Sequence, residues 1–250
     1  MYQEERLKKI IEWLREDQVL SNQELMERLE ISRDTARRDI IRLTKMGKAI
    51  RTHGGIARAD FQVNVEDYRS RLSQNVEGKE RIGKKAAQLL PDQGICFFDV
   101  STMMQFVCMN LSKELTVYTH SLDNLELMTA LPRLKVHCLG GILNKDNRFF
   151  YGCDVWENLN RIYFNVALLS AAAVAEDGIY FENEEDAQVK RIAAKRSNQV
   201  IVMADYQKFQ RVSKFCAIGW EQIDLLILDR EPSMEWKQHL EKEKVQWIVV

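Results

Sequence analysis

The sequence predicts an α/β protein built from a small, mainly helical N-terminal domain and a larger, mostly parallel C-terminal α/β domain. Apolar residues between positions 4 and 46 recur at the three- and four-residue spacing of helices. From position 77 onward, short apolar runs typical of buried strands alternate with helical patterns, which is the order that produces a parallel sheet covered on both faces. Residues 59–76 lack a clean period. We therefore expect one domain over 1–58, a linker over 59–76 and a second domain over 77–250.

Three helices open the chain. The first is expected over residues 4–16, where leucines and isoleucines lie at helical spacing. Ser21 and Glu24 form a capping box, in which each side chain satisfies a backbone donor at the start of the second helix. Ser32 is the expected N-cap of the third helix, and Gly47 its left-handed C-cap. Two short helices joined by so tight a turn predict a helix-turn-helix.

The third helix has the pattern of a DNA-recognition helix. Its apolar stripe, formed by Ala36, Ile40 and Leu43, leaves the arginines on the other faces. A helix of this kind fits the major groove, where side chains near its start reach base edges. The alternative is a solvated helix face with surface arginines. Arg38, in particular, is also at the i, i+4 spacing for a pair with Asp34.

A basic hairpin follows the third helix. Gly54 and Gly55 predict a turn between two short strands, and a hairpin in this place is a wing that lies along the DNA backbone or in the minor groove. Asp39 is expected to be structural, because phosphates repel a carboxylate. The predicted DNA-contacting residues are Ser32, Arg33, Asp34, Thr35, Arg37, Arg38, Arg42, Arg51 and His53.

Charge is distributed unevenly along the chain. The formal net charge is -1, yet residues 31–58 contain eight arginines and lysines against two carboxylates. A local basic patch on an otherwise acidic protein is the footprint expected for a nucleic-acid partner, here a double-stranded DNA operator.

Composition excludes several other classes of protein. The five cysteines form no Cys-x-x-Cys pair, which favours buried free thiols in a reducing compartment over a metal site or a nucleophile. Neither an apolar signal core nor a run of ~18 apolar residues is present. We expect a cytoplasmic protein with no membrane partner and no cofactor.

The N-terminal residues resemble the DNA-binding domain of the DeoR family of bacterial transcription regulators. The resemblance covers about the first 58 residues and is most specific in Thr35-x-Arg37-Arg38-Asp39 together with His53-Gly54-Gly55. It implies that Thr35, Arg37, Arg38 and Arg51 lie at the DNA.

The C-terminal pattern predicts alternating elements. Strands are expected at 95–98, 115–119, 134–139, 166–170, 200–204, 224–229 and 245–250, and helices at 77–90, 103–111, 122–131, 155–160, 184–197 and 234–242. Ligands of such sheets bind outside the carboxyl ends of the strands. Hydroxyls, glycine amides and charged groups follow several of these strands and predict a cradle for a phosphate or another small anion. The predicted effector-binding residues are Asp99, Ser101, Thr102, Thr119, Ser121, Gly140, Gly141, Lys190, Asp205 and Lys208.

Some of these residues also have purely structural interpretations. Asp99 would serve equally well as the cap of the helix that follows it. Lys190 would serve on a helix surface, with its stem along apolar neighbours. Asp205 and Lys208 would serve as partners of each other.

Residues 66–230 resemble the effector domain of the same family, which is similar in fold to ribose-5-phosphate isomerase and senses phosphorylated sugars. Arg71, Lys79 and Asp99 are among the matching landmarks. The loop at 99–103 departs from the family pattern Asp-x-Gly-Thr-Thr, since it lacks the glycine and has Met103 as its last residue. We expect a pocket with either an atypical ligand or a low affinity for a phosphorylated sugar.

The sequence therefore predicts a DNA-binding repressor of carbohydrate-metabolism genes, controlled by a small phosphorylated sugar and assembled as a homodimer or homotetramer. One alternative is a regulator whose C-terminal domain only oligomerises. The other is a sugar-phosphate isomerase, which needs a poised carboxylate base. Residues 170–173 (Ser-Ala-Ala-Ala) offer none where that fold would carry it, so we expect no enzyme, no catalytic residue and no metal.

Overall fold

The computed structural model describes residues 2–17, 19–52, 55–58 and 71–250. His53 and most of the predicted linker lie outside the described residues, as does the side chain of Arg51. The linker bounds therefore stay a prediction.

The N-terminal domain is a helix-turn-helix with a three-stranded antiparallel sheet. Its elements are α1 (Gln3–Asp17), β1 (Val19–Ser21), α2 (Asn22–Leu29), α3 (Arg33–Lys45), β2 (Ala49–Thr52) and β3 (Gly55–Arg58). The strand order is β1-β3-β2. One apolar core joins the three helices to the sheet, with Ile10, Leu25 and Leu43 fully buried.

The predicted caps set the helix ends. Ser21 Oγ accepts from the Glu24 backbone N–H, and Glu24 in turn accepts from the Ser21 backbone, which lowers the pKa of the Glu24 carboxyl. Ser32 caps α3. Gly47, with φ of 64°, ends α3 in a Schellman motif, since Lys48 N–H donates to Leu43 O and Gly47 N–H to Thr44 O, each at 3.0 Å.

Gly55 allows β1 to approach the hairpin. A Cβ on Gly55 would lie 2.0 Å from the Leu20 carbonyl oxygen, although Gly55 itself has no left-handed backbone. Its role is close packing against β1, which pairs with β3.

The C-terminal domain alternates strands and helices around a large sheet. Its elements are α4 (Val76–Leu89), β4 (Gln93–Phe98), α5 (Met104–Met109), β5 (Glu114–Thr119), α6 (Leu122–Met128), β6 (Lys135–Cys138), β7 (Ile142–Asn144), β8 (Phe149–Tyr151), α7 (Cys153–Asn160), β9 (Phe164–Ser170), β10 (Ala173–Ala175), β11 (Gly178–Phe181), α8 (Glu184–Lys195), β12 (Ser197–Ala204), β13 (Phe215–Ile218), β14 (Leu225–Leu228), α9 (Met234–Lys242) and β15 (Gln246–Val249). Two 3-10 helices cover Tyr206–Gln210 and Trp220–Gln222.

The large sheet has seven parallel strands in the order β15-β14-β12-β9-β4-β5-β6. Successive residues of each strand alternate between two apolar cores, so that Phe97 packs in one and Phe98 in the other. Both faces are covered, and the predicted α/β class is confirmed.

Two antiparallel features were not expected from the sequence. One is the β7–β8 hairpin, and the other is a small sheet of order β10-β11-β13. Their strands are three or four residues long, which is too short for a distinct period. Residues 170–173 connect the end of β9 to the start of β10.

The five cysteines differ in exposure, and Cys216 is half-buried. Cys96 and Cys108 are buried, and burial raises the pKa of each thiol to about 12. Cys138 and Cys153 are exposed, so the expectation of buried thiols is wrong for these two. Among the described helices, none combines the length and apolar character needed to cross a bilayer.

Candidate functional site

The outer face of α3 presents charged side chains to solvent. The helix buries Ala36, Asp39, Ile40 and Leu43, and exposes Arg33, Asp34, Arg37 and Arg38 on other faces. Within the described residues, none of these four exposed side chains has a hydrogen-bond or ion-pair partner. The alternative pairing of Arg38 with Asp34 is therefore not seen.

The start of α3 carries two hydroxyls. Ser32 Oγ accepts from the Thr35 backbone N–H at 3.3 Å and lies 2.9 Å from Thr35 Oγ1. Ser32 is exposed and Thr35 half-buried, so the cap lies at the same end of the helix as Arg33 and Asp34.

Asp39 fixes α3 to α1. Its fully buried carboxylate accepts from Arg6 Nε at 2.6 Å and from Gln3 Nε2 at 2.9 Å. The hydrogen bond to Asp39 raises the pKa of the Arg6 guanidinium. Arg42 donates to Gln3 Oε1 at 2.6 Å, so this predicted DNA-contacting residue is held at the α1–α3 junction. The structural role expected for Asp39 agrees with these contacts.

A cleft opens in the C-terminal domain where β4, β9 and β12 end. Five of the predicted effector residues line it, namely Ser101, Thr102, Lys190, Asp205 and Lys208. The rest of its lining includes Arg71, Gln74, Lys79, Met103, Asn147, Ser170, Phe181, Glu182, Asn183, Asp186 and Gln207. The cleft thus lies at the carboxyl ends of the parallel strands, where ligands of such sheets bind.

Lys190 lies at the base of the cleft between two carboxylates. Its Nζ is 3.1 Å from Asp99 Oδ2, 3.0 Å from Asp186 Oδ2 and 3.8 Å from the centroid of the Phe181 ring. The residue is 1 % exposed, so the alternative placement on a helix surface is wrong. Burial opposes ionisation of Asp186, but Lys190 and the hydrogen bond with His120 outweigh it and lower the pKa of this carboxyl.

Asp99 joins two strand ends beneath the cleft. Its Oδ2 accepts from the Ser170 backbone N–H at 2.7 Å and from Ser170 Oγ at 2.8 Å. The alternative of a cap for α5 is wrong, because Met103 occupies the N-cap position and no side chain caps it. Asp99 therefore acts on the cleft through Lys190 and Ser170.

One wall of the cleft is cationic. Lys208 is half-buried there, and within the described residues its ammonium forms no hydrogen bond or ion pair. Burial lowers its pKa to about 8; Asp205 opposes this shift, and Arg211, Arg71 and Lys79 add to it. The Asp205 carboxylate caps the 3-10 helix, accepting from Gln207 N–H at 3.1 Å, so the alternative of a direct Asp205–Lys208 pair is not seen.

Arg71 and Lys79 were absent from the predicted effector residues. Arg71 lies before α4 and Lys79 in its first turn, so neither is at a strand end. The Lys79 ammonium donates to the Arg71 carbonyl oxygen. A search of strand ends could not find them. The available signal was their place among the landmarks of the family resemblance.

Besides Asp99, which lies beneath the cleft, four predicted effector residues lie outside its lining. Thr119 Oγ1 accepts from Ser121 N–H at 3.2 Å, and Ser121 Oγ caps α6 by accepting from Asn124 N–H at 3.2 Å. Gly140 has φ of 70° in the turn after β6. A Cβ on Gly141 would lie 2.4 Å from the Tyr151 carbonyl oxygen. The contacts of these four residues shape loops, and the proposed effector site does not include them.

Comparison with known proteins identifies both halves of the chain. The model of the DeoR-like helix-turn-helix domain matches residues 6–62, and that of the DeoR C-terminal sensor domain matches residues 74–230. The chain is 34% identical over 250 residues to the HTH-type transcriptional repressor GlcR of Bacillus subtilis, covering 100% of this chain and 97% of that protein. It is 25% identical over 249 residues to the glycerol-3-phosphate regulon repressor of Escherichia coli, covering 98% of each.

Among solved structures, ribose 5-phosphate isomerase A from Neisseria gonorrhoeae matches with a TM-score of 0.37 and 15% sequence identity, over 52% of each chain.

Proposed function

The chain belongs to the DeoR family of transcription regulators, and we propose that it represses carbohydrate-metabolism genes until a small phosphorylated sugar occupies the C-terminal cleft. Its relatives are DNA-binding regulators, and the chain is not an enzyme. The observation that carries the effector proposal is Lys208, a lysine without a partner among the described residues on a wall that it shares with Arg71 and Lys79.

This cationic wall is suited to a phosphate. A phosphate monoester carries nearly two negative charges at neutral pH and three strong acceptor oxygens. Arginine and lysine side chains supply charge-assisted hydrogen bonds to such oxygens. Burial, with a smaller contribution from the neighbouring cations, lowers the pKa of Lys208, and an anion bound among these groups would favour the charged form.

The loop at 99–103 is the weaker candidate for the phosphate. Ser101 Oγ already accepts from the Met103 backbone N–H at 3.1 Å, so this amide is committed within the loop. Met103 has no side-chain donor. We therefore propose that the phosphate binds at the cationic wall. The departure of the 99–103 loop from the family pattern would then not affect phosphate binding.

The rest of the lining is suited to hydroxyl groups. It includes amide and carboxylate groups from Asn147, Glu182, Asn183 and Asp186, while Phe181 adds an apolar surface. Carboxylates accept from sugar hydroxyls, and amides both donate and accept. The cationic wall and the polar remainder of the lining match the phosphate and the hydroxyl groups of a phosphorylated sugar.

Repression requires that the cleft and α3 be coupled. Effector binding would favour an arrangement of a dimer or tetramer that no longer fits the operator, which is a coupling free energy between two sites. The exposed arginines of α3 would supply the DNA contacts of the repressing state.

Thermal unfolding with a panel of sugars tests the effector proposal. Phosphorylated sugars should raise the thermal midpoint of the full chain. At a concentration one hundred times Kd, the free energy of unfolding should rise by about 2.7 kcal/mol. The same sugars without phosphate serve as matched controls. Equal stabilisation by both sets, or by neither, would contradict the proposal, and the second result would favour a C-terminal domain that only oligomerises.

A further inference from the structure

We propose that Asp34 reads the exocyclic amino group of a cytosine in the major groove, and so determines which operator sequence the protein selects. The inference rests on α3 being the DNA-reading helix of the proposed repressor. It assigns a role to the one carboxylate on the exposed face of that helix's first turn.

Asp34 lies where recognition helices contact bases. It is the second residue of α3, two positions after the Ser32 cap, and its side chain is exposed. Residues near the start of a recognition helix reach base edges, whereas positions further along approach the backbone. Asp34 is therefore placed for sequence reading.

The absence of a partner for Asp34 within the described chain is informative, because cations surround it. Arg33 precedes it, and Arg37 and Arg38 lie three and four positions later, at spacings that allow ion pairs on a helix. None of the three pairs with it. Elsewhere in the same domain, Asp17 pairs with Arg28 and Asp39 with Arg6, each at 2.6 Å.

The chemistry of base edges narrows the possible partner of a carboxylate. An ionised carboxylate only accepts hydrogen bonds, so phosphates and the acceptor edge of guanine repel it. Adenine offers an amino donor beside the N7 acceptor, while cytosine offers its N4 amino group as the donor of its edge. Cytosine is therefore the best match, and the neighbouring arginines suit guanine O6 and N7.

A structural role for Asp34 makes a different prediction. An acidic residue in the first turn stabilises a helix through its dipole. That effect changes the folded population, and hence the affinity for every duplex by the same factor. Base reading instead changes the preference at one position only.

Selection of bound duplexes from a random pool separates the two roles. The full chain should enrich cytosine at one position of each half-site. Asp34→Asn should move the preference at that position to adenine, because an asparagine amide pairs with adenine N6 and N7. Asp34→Ala should lose about tenfold to a hundredfold in affinity for the selected operator and keep its other preferences.

The control is Glu12→Gln, which removes one exposed carboxylate of α1 and should leave the selected sequence unchanged. The inference is overturned if Asp34→Asn selects the natural operator, or if Asp34→Ala changes the affinity for all duplexes equally. If the unmodified chain selects no sequence, the DNA-reading function of α3 fails with it. If Arg37→Ala abolishes selection while both Asp34 variants behave normally, only the assignment of Asp34 fails.

Discussion

The charged form of Lys208 is favourable in water but disfavoured in the ligand-free cleft. Its pKa falls from 10.5 to about 8 on folding, so between these values the unfolded chain holds the proton more tightly than the folded chain. The contribution of Lys208 therefore makes the free protein more stable as pH rises from about 8 to 10.5, and disfavours folding at neutral pH. A bound phosphate would reverse this effect by favouring the charged form.

Replacing Lys208 should separate stability from effector response. Lys208→Met should raise the thermal midpoint of the free protein at pH 7, since the disfavoured charge is removed, and abolish the further rise caused by a phosphorylated sugar. In the natural protein that rise should shrink as pH increases through about 8. Scanning fluorimetry against pH gives both results, with Lys135→Met, an exposed lysine of β6, as control. A variant that keeps its full response would remove Lys208 from the site.

Asp39 offers a contrasting case in which the buried charge has partners. Asp39→Ala would leave Arg6 and Gln3 without their acceptor, and breaking a buried pair in this way costs about 3–5 kcal/mol. Asp17→Ala removes an exposed partner of Arg28 and should cost at most about 1 kcal/mol. Hydrogen exchange at the amides of α3 in the full chain measures both. Similar protection in the two variants would show that the α1–α3 tie is not structural.

Elements of the N-terminal domain follow from local signals, whereas the small strands of the C-terminal domain do not. The capping side chains of Ser21 and Ser32, and the left-handed Gly47, act within a few residues, so the sequence contains the whole interaction. The strands β10, β11 and β13 exist because Ala173 pairs with Tyr180 and Phe181 with Phe215. The second of these pairs joins segments that are distant in the chain and have no shared pattern.

Substitutions at two glycines compare a contact between elements with a local backbone conformation. Gly55 begins β3 and packs against β1, whereas Gly47 ends α3. Gly55→Ala should separate β1 from β3, because the new Cβ would meet the Leu20 carbonyl oxygen at 2.0 Å. Gly47→Ala meets open space and should cost only about 1–2 kcal/mol for its left-handed backbone. The loss of stability and of DNA binding should be greater for Gly55→Ala, as measured by denaturant unfolding and by titration with operator. The reverse order would contradict the packing role of Gly55.

The effector cleft shows where sequence reasoning reaches its limit for the whole molecule. Ser101, Thr102, Asp205 and Lys208 were found because they follow strands, and strands end at one edge of the sheet. Lys79 reaches the same cleft from α4 and Arg71 from the segment before α4, whereas Thr119 and Ser121 lead into α6 instead. Which loop faces the ligand depends on packing between elements, and no strand-end pattern encodes that.

Coupling between the two domains should be reciprocal. If a phosphorylated sugar weakens operator binding by some factor, typically about 5- to 150-fold, the operator must weaken sugar binding by the same factor. Titration of each ligand with and without the other, at one fixed salt concentration, measures both factors. Unequal factors would indicate that a change of assembly contributes, and a factor of one in both directions would refute regulation through the cleft.

The distribution of cysteines gives the chain a convenient chemical handle. All five lie in the C-terminal domain, and the thiols of Cys96 and Cys108 stay protonated because burial raises their pKa to about 12. Maleimide dyes would therefore attach first to Cys138 and Cys153, which are exposed beside the β7–β8 hairpin in sequence. A fluorophore could thus be installed on the sensing half without mutagenesis, leaving the DNA-reading half unmarked.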